Sequence, residues 1–478
     1  MVTQPLFPFA RDLFVVDLFA GGGGASEGIR RALGRCPDVA INHDEHSIEM
    51  HAKNHPDTRH YQEDVFAVDP VKACGGRRPD LLWMSPDCRH FSRAKGAKPV
   101  SAKIRSLAGV GIKWARKVRP RVLCLENVDE FKTWGPLHPP THPDPKKRGR
   151  PIKARAGDFF RAWVRAMEAL GYVVEWRTLV CADFGAPTTR KRLFLIARLG
   201  AAPVWPEPTH GPGRAPYRTA AECIDWSIPV PSIFTRAHPY AEATCRRIAA
   251  GVVRYLLEDP EPYIVDLPSG ERVSPSLIQT GYGERKGQAP RVLDLHQPLG
   301  TVVAGGQKHG LVFAWIAKHY GGVVGIPPTV PLSTVTATDH HALVAGSLDP
   351  APGRSRQVAA FLTTYYGTRS VGQRLDEPLR TVTTRDRFGL VYVDIGGEQH
   401  LLTDIGMRML QPRELARAHG FGEDYVLEGT KRAQVARIGN SVPVAPVEAI
   451  VRANVEMLRR ESATTARERM GGSPRRRG

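Results

Sequence analysis

No stretch of about 18 consecutive apolar residues occurs along the 478 positions, so nothing in the sequence reads as a membrane-spanning helix. The opening Met1-Val2-Thr3-Gln4-Pro5 lacks the basic-then-apolar order of a signal peptide, and a soluble, cytoplasmic protein is expected. Cysteine is scarce: Cys36, Cys74, Cys88, Cys124, Cys181, Cys223 and Cys245 are an odd number with no C-x-x-C pair. That pattern argues against a disulfide framework and against a structural zinc site, so no metal is expected. Carboxylates are the other shortage, since 48 Asp and Glu face 67 Lys and Arg and leave a formal charge of +19. Such an excess favours polyanionic partners, nucleic acid first. Hydrophobic residues at 42% and charged residues at 24% exclude a collagenous or wholly disordered chain. At roughly 100–200 residues per domain the length predicts about two to four domains.

From residue 12 to about 200, short apolar runs alternate with helical patterns, as parallel βαβ units do. Strands are predicted at Leu13–Phe19, Val39–Ile41, Asp80–Met84, Val122–Leu125, Tyr172–Val180 and Leu193–Ala197. Helices are predicted at Ala25–Leu33, Ser47–Asn54, Ser101–Val118 and Asp158–Leu170. The economical arrangement is α/β, a doubly wound and mostly parallel sheet with ligands beyond the carboxyl ends of its strands. One proline-rich insertion, 136–155, carries Lys146-Lys147-Arg148-Gly149-Arg150-Pro151. Its Arg-Gly-Arg-Pro core resembles an AT-hook that reads the minor groove; a solvated basic loop is the plainer alternative, and either can touch phosphates.

Beyond about residue 200 the texture turns to Pro, Gly, Thr, Val and Tyr, which predicts a second, smaller β-rich domain over 206–400. It holds an internal repeat, P-L-x-T-V, at Pro298–Val302, Pro331–Val335 and Pro378–Val382, each preceded by a Tyr-Gly pair and followed by a polar turn. The copies are either a repeated packing motif or strand-turn-strand units whose turns, such as Arg385-Asp386-Arg387, meet a ligand. The segment 401–460 is expected to return to the first domain, with helical texture from Gln411–Ala416 and again over Val444–Leu458, and 461–478, ending in Arg475-Arg476-Arg477, reads as a frayed basic tail.

Four elements carry chemistry. The first strand runs through Asp17-Leu18-Phe19-Ala20 into Gly21-Gly22-Gly23-Gly24 and a helix, as a nucleotide-like cofactor requires, although glycine runs also serve tight turns. With no Lys of a phosphate loop, a nucleoside without a triphosphate is preferred. Just past Asp80–Met84 stands Ser85-Pro86-Asp87-Cys88-Arg89-His90, a cysteine among cations that lower a thiol pKa, with Asp87 opposing them. A nucleophile is favoured there over a buried structural thiol. Glu126 follows four apolar residues, which sets a carboxyl at the partly desolvated mouth of the same cleft. Together they make the nucleophile and acid needed to attack and protonate an electron-poor ring. Alternation turns Arg190 and Arg192 to one face, where two guanidinium groups can share that cleft; a solvated strand entry is the other reading.

The order of these motifs resembles the DNA cytosine-5 methyltransferase family from about residue 12 to 458, and the Ser-Pro-Asp-Cys loop looks most like its solitary bacterial and prophage members. The matching positions are Phe19, Gly21 and Gly23; Pro86 and Cys88; Glu126-Asn127-Val128; Arg190 and Arg192; Arg413–Phe421; and Ile438–Pro443. The chain departs from the family at Asp87 beside the thiol, at Asn42 where an acidic residue commonly holds the cofactor ribose, and at Thr188 where Gln is usual.

The resemblance implies a Rossmann-like fold and S-adenosyl-L-methionine as cofactor. Phe19 would lie against the adenine, Gly21, Gly23 and Gly24 would give backbone access, and Asp64 and Val65 would meet the adenine edge. Asn42, Pro86, Asn440 and Ser441 complete the implied pocket. Cys88 would add to carbon 6 of a flipped cytosine, Glu126 would protonate or hydrogen-bond ring nitrogen 3, and Arg190 and Arg192 would hold the base or its phosphate. Residues 1–205 and 401–460 become the catalytic domain and 206–400 the target-recognition domain. Double-stranded DNA is the implied partner, with no membrane, a cognate restriction endonuclease and a monomeric state in the same reading. A tRNA cytosine-5 methyltransferase and a catalytically silent DNA-binding relative are the rivals.

Overall fold

A computed structural model describes residues 13–87, 107–281, 287–318, 357–358, 361–362, 392–395 and 398–471. Its chain divides into one unit of Met1–Cys223, Gln297–Gly306 and Gln411–Gly478, and a second of Ile224–His296 and Gln307–Leu410. The first unit therefore extends past residue 205. It also takes back the first P-L-x-T-V copy, Pro298–Val302, which the sequence reading had given to the β-rich domain. The physical reason is pairing: the Thr189 N–H donates to the Leu299 carbonyl at 2.9 Å, and the Leu299 N–H to Pro187 at 3.0 Å. The other two copies, the Tyr-Gly pairs and the turn at Arg385 lie outside the described residues.

In the first unit β1 (Val15–Leu18), α1 (Gly24–Leu33), β2 (Val39–Asn42), α2 (Glu45–Asn54), β3 (Arg59–Gln62), α3 (Pro70–Ala73) and β4 (Leu81–Met84) follow one another. Then come α4 (Gly109–Val118), β5 (Val122–Asn127), α5 (Asp158–Glu168), β6 (Tyr172–Val180) and β7 (Lys191–Leu199). The sheet order is β3-β2-β1-β4-β5-β7-β6, parallel from β3 to β5. β7 runs antiparallel to both neighbours, because the link from Val180 to Lys191 falls short of the dozen or so residues a parallel crossover needs. β3, Arg-His-Tyr-Gln, has no apolar run and was not anticipated; as an edge strand it buries little.

The continuous apolar character of the central strands has a direct cause, since both faces are covered. Val16, Leu18, Leu82, Met84, Leu123 and Leu125 pack with Trp114 and Trp163 on one side. Val15, Leu81, Trp83 and Val122 pack with Ile29, Leu33, Val447, Ile450 and Val451 on the other. Order reverses between β1 and β4, so their carboxyl ends open the crevice characteristic of such sheets.

The second unit carries the sheet β10-β9-β11-β13-β12, antiparallel throughout, with β8 on β9. Its strands are β8 (Val265–Asp266), β9 (Arg272–Gln279), β10 (Val292–Leu293), β11 (His309–Lys318), β12 (Tyr392–Ile395) and β13 (Glu398–Met409). A helix unforeseen in the sequence, α6 (Glu242–Val252), sets Ile248 and Val252 against Ile278, Val312 and Ile405.

The first unit is completed by α7 (Pro412–Ala418), α8 (Lys431–Asn440) and α9 (Val444–Gly471). The expected tail from 461 is thus helical as far as Gly471. Among the described residues no helix is long and apolar enough to cross a membrane.

Candidate active site

The glycine loop is shaped by two different demands. At Gly21 the backbone itself requires glycine, with φ at 48°, and Phe19 just before it stands at 64° despite its side chain. A Cβ on Gly21 would meet only the Phe19 carbonyl at 3.5 Å and the Asn42 carboxamide nitrogen at 4.0 Å, so this side of the loop is open. Gly22 and Gly24 are set by contact, and Gly23, with φ at 78°, by backbone and contact together. A Cβ would stand 2.3 Å from Ser441 Oγ at Gly22, 2.0 Å from Tyr425 Oη at Gly23 and 2.0 Å from the Val442 carbonyl at Gly24. Residues 425 and 437–442 therefore press on one side of the loop, and Tyr425 Oη donates to the Gly22 carbonyl at 3.0 Å. Ser441 is buried and its hydroxyl donates to the Arg437 carbonyl at 2.9 Å, while Asn440 is exposed.

The other residues expected around a cofactor stand at the ends of neighbouring strands. Asn42 ends β2, its Oδ1 accepting from the Asp44 N–H at 2.9 Å. Asp64 follows β3, exposed, and accepts from the Phe66 N–H at 3.0 Å, with Val65 buried beside it. Pro86 follows β4 and is buried; Asn127 Nδ2 donates to its carbonyl at 3.0 Å, and Asn127 Oδ1 accepts from the Val128 N–H at 2.9 Å. Asn127 thereby ties the end of β5 to the segment that leads to Cys88. The described chain stops at Asp87 and resumes at Leu107, so Cys88 lies outside it. Burial pushes the other thiols up, Cys36 to about 11 and Cys74, Cys181 and Cys223 to about 12, so none of these four is a ready thiolate near neutral pH.

Glu126 is the buried acid of the site. Its side chain is 8% exposed, and Oε1 lies 3.1 Å from Nε of Arg192, itself 12% exposed. Burial pushes the carboxyl above its usual range, against the opposing charges of Arg192 and Arg190. Arg190 does not join Arg192 as an open hand for a substrate. It is 2% exposed, and Nη1 donates to the Val302 carbonyl at 2.8 Å while Nη2 donates to Gly439 at 3.0 Å. Alternation did place both arginines on one face, but a guanidinium this deeply buried must satisfy its donors locally, and Arg190 clamps three stretches of backbone.

Several site residues gave no motif signal. Asp17, at the end of β1, is fully buried, accepts from Ser26 Oγ at 2.6 Å, and is pushed up to about 7 by that burial. Ser26 Oγ lies 2.9 Å from His51 Nε2, and His51 Nδ1 lies 2.8 Å from His60 Nε2, so a polar chain runs beneath the glycine loop. His419, also buried, is held neutral by desolvation and by the charges of Arg190 and Arg192. Serine and histidine at helical spacing look like ordinary surface residues, and only the sheet brings them under the loop. Among the described residues no group of three or more His, Cys, Asp or Glu is placed to hold a metal ion.

A family model described as C-5 cytosine-specific DNA methylase matches residues 13–138, 149–210 and 354–456. The type II methyltransferase M.AquIA of Picosynechococcus sp. is 26% identical over 228 residues, covering 44% of this chain and 87% of that protein. The type II methyltransferase M1.HphI of Haemophilus parahaemolyticus is 27% identical over 222 residues, covering 45% of this chain and 53% of that protein. Among solved structures, the S. pombe Dnmt2 methyltransferase has a TM-score of 0.47 at 14% identity, over 93% of this chain and 99% of that one.

Proposed function

The chain belongs to the C-5 cytosine-specific DNA methylase family, whose model matches more than half of it, and on that premise we propose that it methylates carbon 5 of cytosine within a specific duplex DNA sequence. The methyl donor in this reading is S-adenosyl-L-methionine, which supplies an electrophilic methyl group when bound. The residues present fit it. The open side of Gly21 faces the Asn42 carboxamide, and Asp64, Val65 and Pro86 follow at the ends of the flanking strands. The loop carries no lysine for a phosphate chain.

Glu126 is the observation that carries the reading. Carbon 5 of cytosine is a poor nucleophile, and it gains electron density only if a nucleophile adds to carbon 6 while ring nitrogen 3 takes a proton. A buried carboxyl raised by desolvation holds a proton at pH values where an exposed one has lost it, so Glu126 can donate to that nitrogen. The 3.1 Å contact with Arg192 orients it and stabilises the carboxylate left behind. Cys88 supplies the sulfur that adds to carbon 6. After methylation, water takes the carbon 5 proton, the electron pair of that bond expels Cys88 from carbon 6 as a thiolate, and nitrogen 3 returns its proton to Glu126. A duplex hides these atoms, so the base is flipped out at a cost on the order of a few kcal/mol, offset by pocket and phosphate contacts. The same reading includes a cognate restriction endonuclease, in keeping with the type II names of similar proteins, and a monomeric enzyme.

Incubation with S-adenosyl-L-methionine and a duplex containing 5-fluorocytosine tests it. Fluorine at carbon 5 cannot leave as a proton does, so the expected result is a denaturation-resistant protein–DNA adduct that Cys88→Ala abolishes. Duplex binding by the native protein without any adduct overturns the reading, and preferential methylation of tRNA overturns its substrate.

A further inference from the structure

Of the two readings of Lys146 to Pro151, the structure matches the solvated basic loop, with its base closed as a hairpin, and not an extended minor-groove hook. The segment is a hairpin. Leu137 bridges Pro151 antiparallel, the His138 N–H donates to the Arg150 carbonyl at 2.8 Å, and the Ile152 N–H donates to Pro136 at 3.0 Å. At its base the legs touch, for a Cβ on Gly135 would lie 2.2 Å from the Arg155 carbonyl. The root is held by stacked and edge-on rings, Phe131 on Trp134 at 5.5 Å, Trp134 on Phe159 at 5.9 Å and Phe131 on Phe160 at 5.8 Å. Such anchoring gives the tip a fixed direction.

The turn chemistry excludes the extended Arg-Gly-Arg that a groove-inserted hook needs. Gly149 is left-handed at a φ of 65°, and its N–H donates to the His138 carbonyl at 3.1 Å. Arg148 is spent on the turn, its Nε donating to the His142 carbonyl at 2.8 Å. Asp144, the one carboxylate from 136 to 152, is spent likewise, accepting from the Lys146 N–H at 2.9 Å. Lys146, Lys147 and Arg150 remain exposed, with no ion pair among the described residues.

Position supplies the rest of the argument. The hairpin leaves β5 by way of Asp129–Thr133, and Thr178, near the end of β6, donates its hydroxyl to Asp129. It therefore rises from the carboxyl edge of the sheet, the edge that carries Glu126. The family model matches up to 138 and again from 149, so residues 139–148, with Lys146 and Lys147, stand outside the matched positions.

We propose that the hairpin Pro136–Ile152 is a backbone clamp for duplex DNA, its Lys146, Lys147 and Arg150 gripping phosphates flanking the target base. The proposal rests on the function proposed above and extends it to where the duplex lies on the catalytic unit. A cation at a phosphate releases condensed counterions, and log K falls with log salt by about 0.9 per contact.

The test uses the full chain, a 30-base-pair duplex of mixed sequence and fluorescence anisotropy across sodium chloride concentrations. Lys146→Gln/Lys147→Gln/Arg150→Gln should flatten the salt slope by about 2.7 and weaken binding by roughly 10- to 100-fold near 0.15 M salt. Its melting temperature should match the native protein. Arg116→Gln/Lys117→Gln, at the end of α4 and the opposite edge of the sheet, should leave the slope unchanged. An unchanged slope in the triple variant overturns the clamp, and so does an equal change in the α4 pair, which would report net charge alone. A hairpin-dependent slope in a protein that forms no 5-fluorocytosine adduct refutes the methylation reading and leaves the clamp standing. An active enzyme with an unaltered slope does the reverse.

Discussion

Replacing Arg190 with methionine separates the two roles its position allows. The change keeps an unbranched apolar stem, ends short of the terminal nitrogens, and removes two charged donors, at 2.8 Å from the Val302 carbonyl and 3.0 Å from Gly439. Each buried carbonyl left without a donor costs about 1–3 kcal/mol, and release of the guanidinium from its own desolvation returns part of that. The expected net loss is about 2–4 kcal/mol, which for a unit of this size lowers the melting temperature by about 4–15 °C. Arg192→Met is the contrast. It breaks the 3.1 Å contact with Glu126 and should reduce methyl transfer more than its stability change explains, since the carboxyl loses its orienting partner. Scanning calorimetry of both variants, with turnover measured well below their melting temperatures, reads the difference. If Arg190→Met melts with the native protein and fails only in turnover, the clamp assignment is wrong and Arg190 belongs with the substrate.

The glycine loop and Glu126 carry the remaining expectations. Gly24→Ala drives a Cβ to 2.0 Å from the Val442 carbonyl, so it should displace residues 441–442 and weaken S-adenosyl-L-methionine binding in calorimetry. Gly21→Ala makes only ordinary van der Waals contacts, with the Phe19 carbonyl and the Asn42 carboxamide, and should cost only the roughly 1–2 kcal/mol of its left-handed backbone; equal effects of the two would contradict the contact argument. Glu126→Gln should slow transfer by about 10²–10⁴-fold and should also change how stability depends on pH. Burial lifts the folded-state pKa of Glu126 above its unfolded value, so the stability gained by holding the proton is complete below the unfolded value and is lost as pH rises through the folded one. Urea midpoints measured from the ordinary carboxyl range upward should fall with pH more steeply in the native protein than in the variant; parallel curves would refute the raised carboxyl.

What the chain settles by itself is local. An apolar run buried on both faces has one reading, so β1, β4 and β5 are legible, and the carboxyl of Glu126 is placed at a strand's end merely by following four apolar residues. The glycines after β1 announce a tight strand-to-helix passage in the same way. Tertiary structure decided what each of those groups is spent on, because their partners lie far along the chain. Gly22 to Gly24 are glycine because Tyr425, Arg437, Ser441 and Val442 press on them. Arg190 has the alternation of a substrate-facing residue and becomes a clamp only when Val302 and Gly439 bring their carbonyls to it. Pro298–Val302 has the texture of a β-rich domain and joins the catalytic unit through two hydrogen bonds to 187–189. Periodicity reports which face a side chain takes, whereas a buried donor or a missing Cβ is explained only by the atom it meets, and that atom is supplied by the fold.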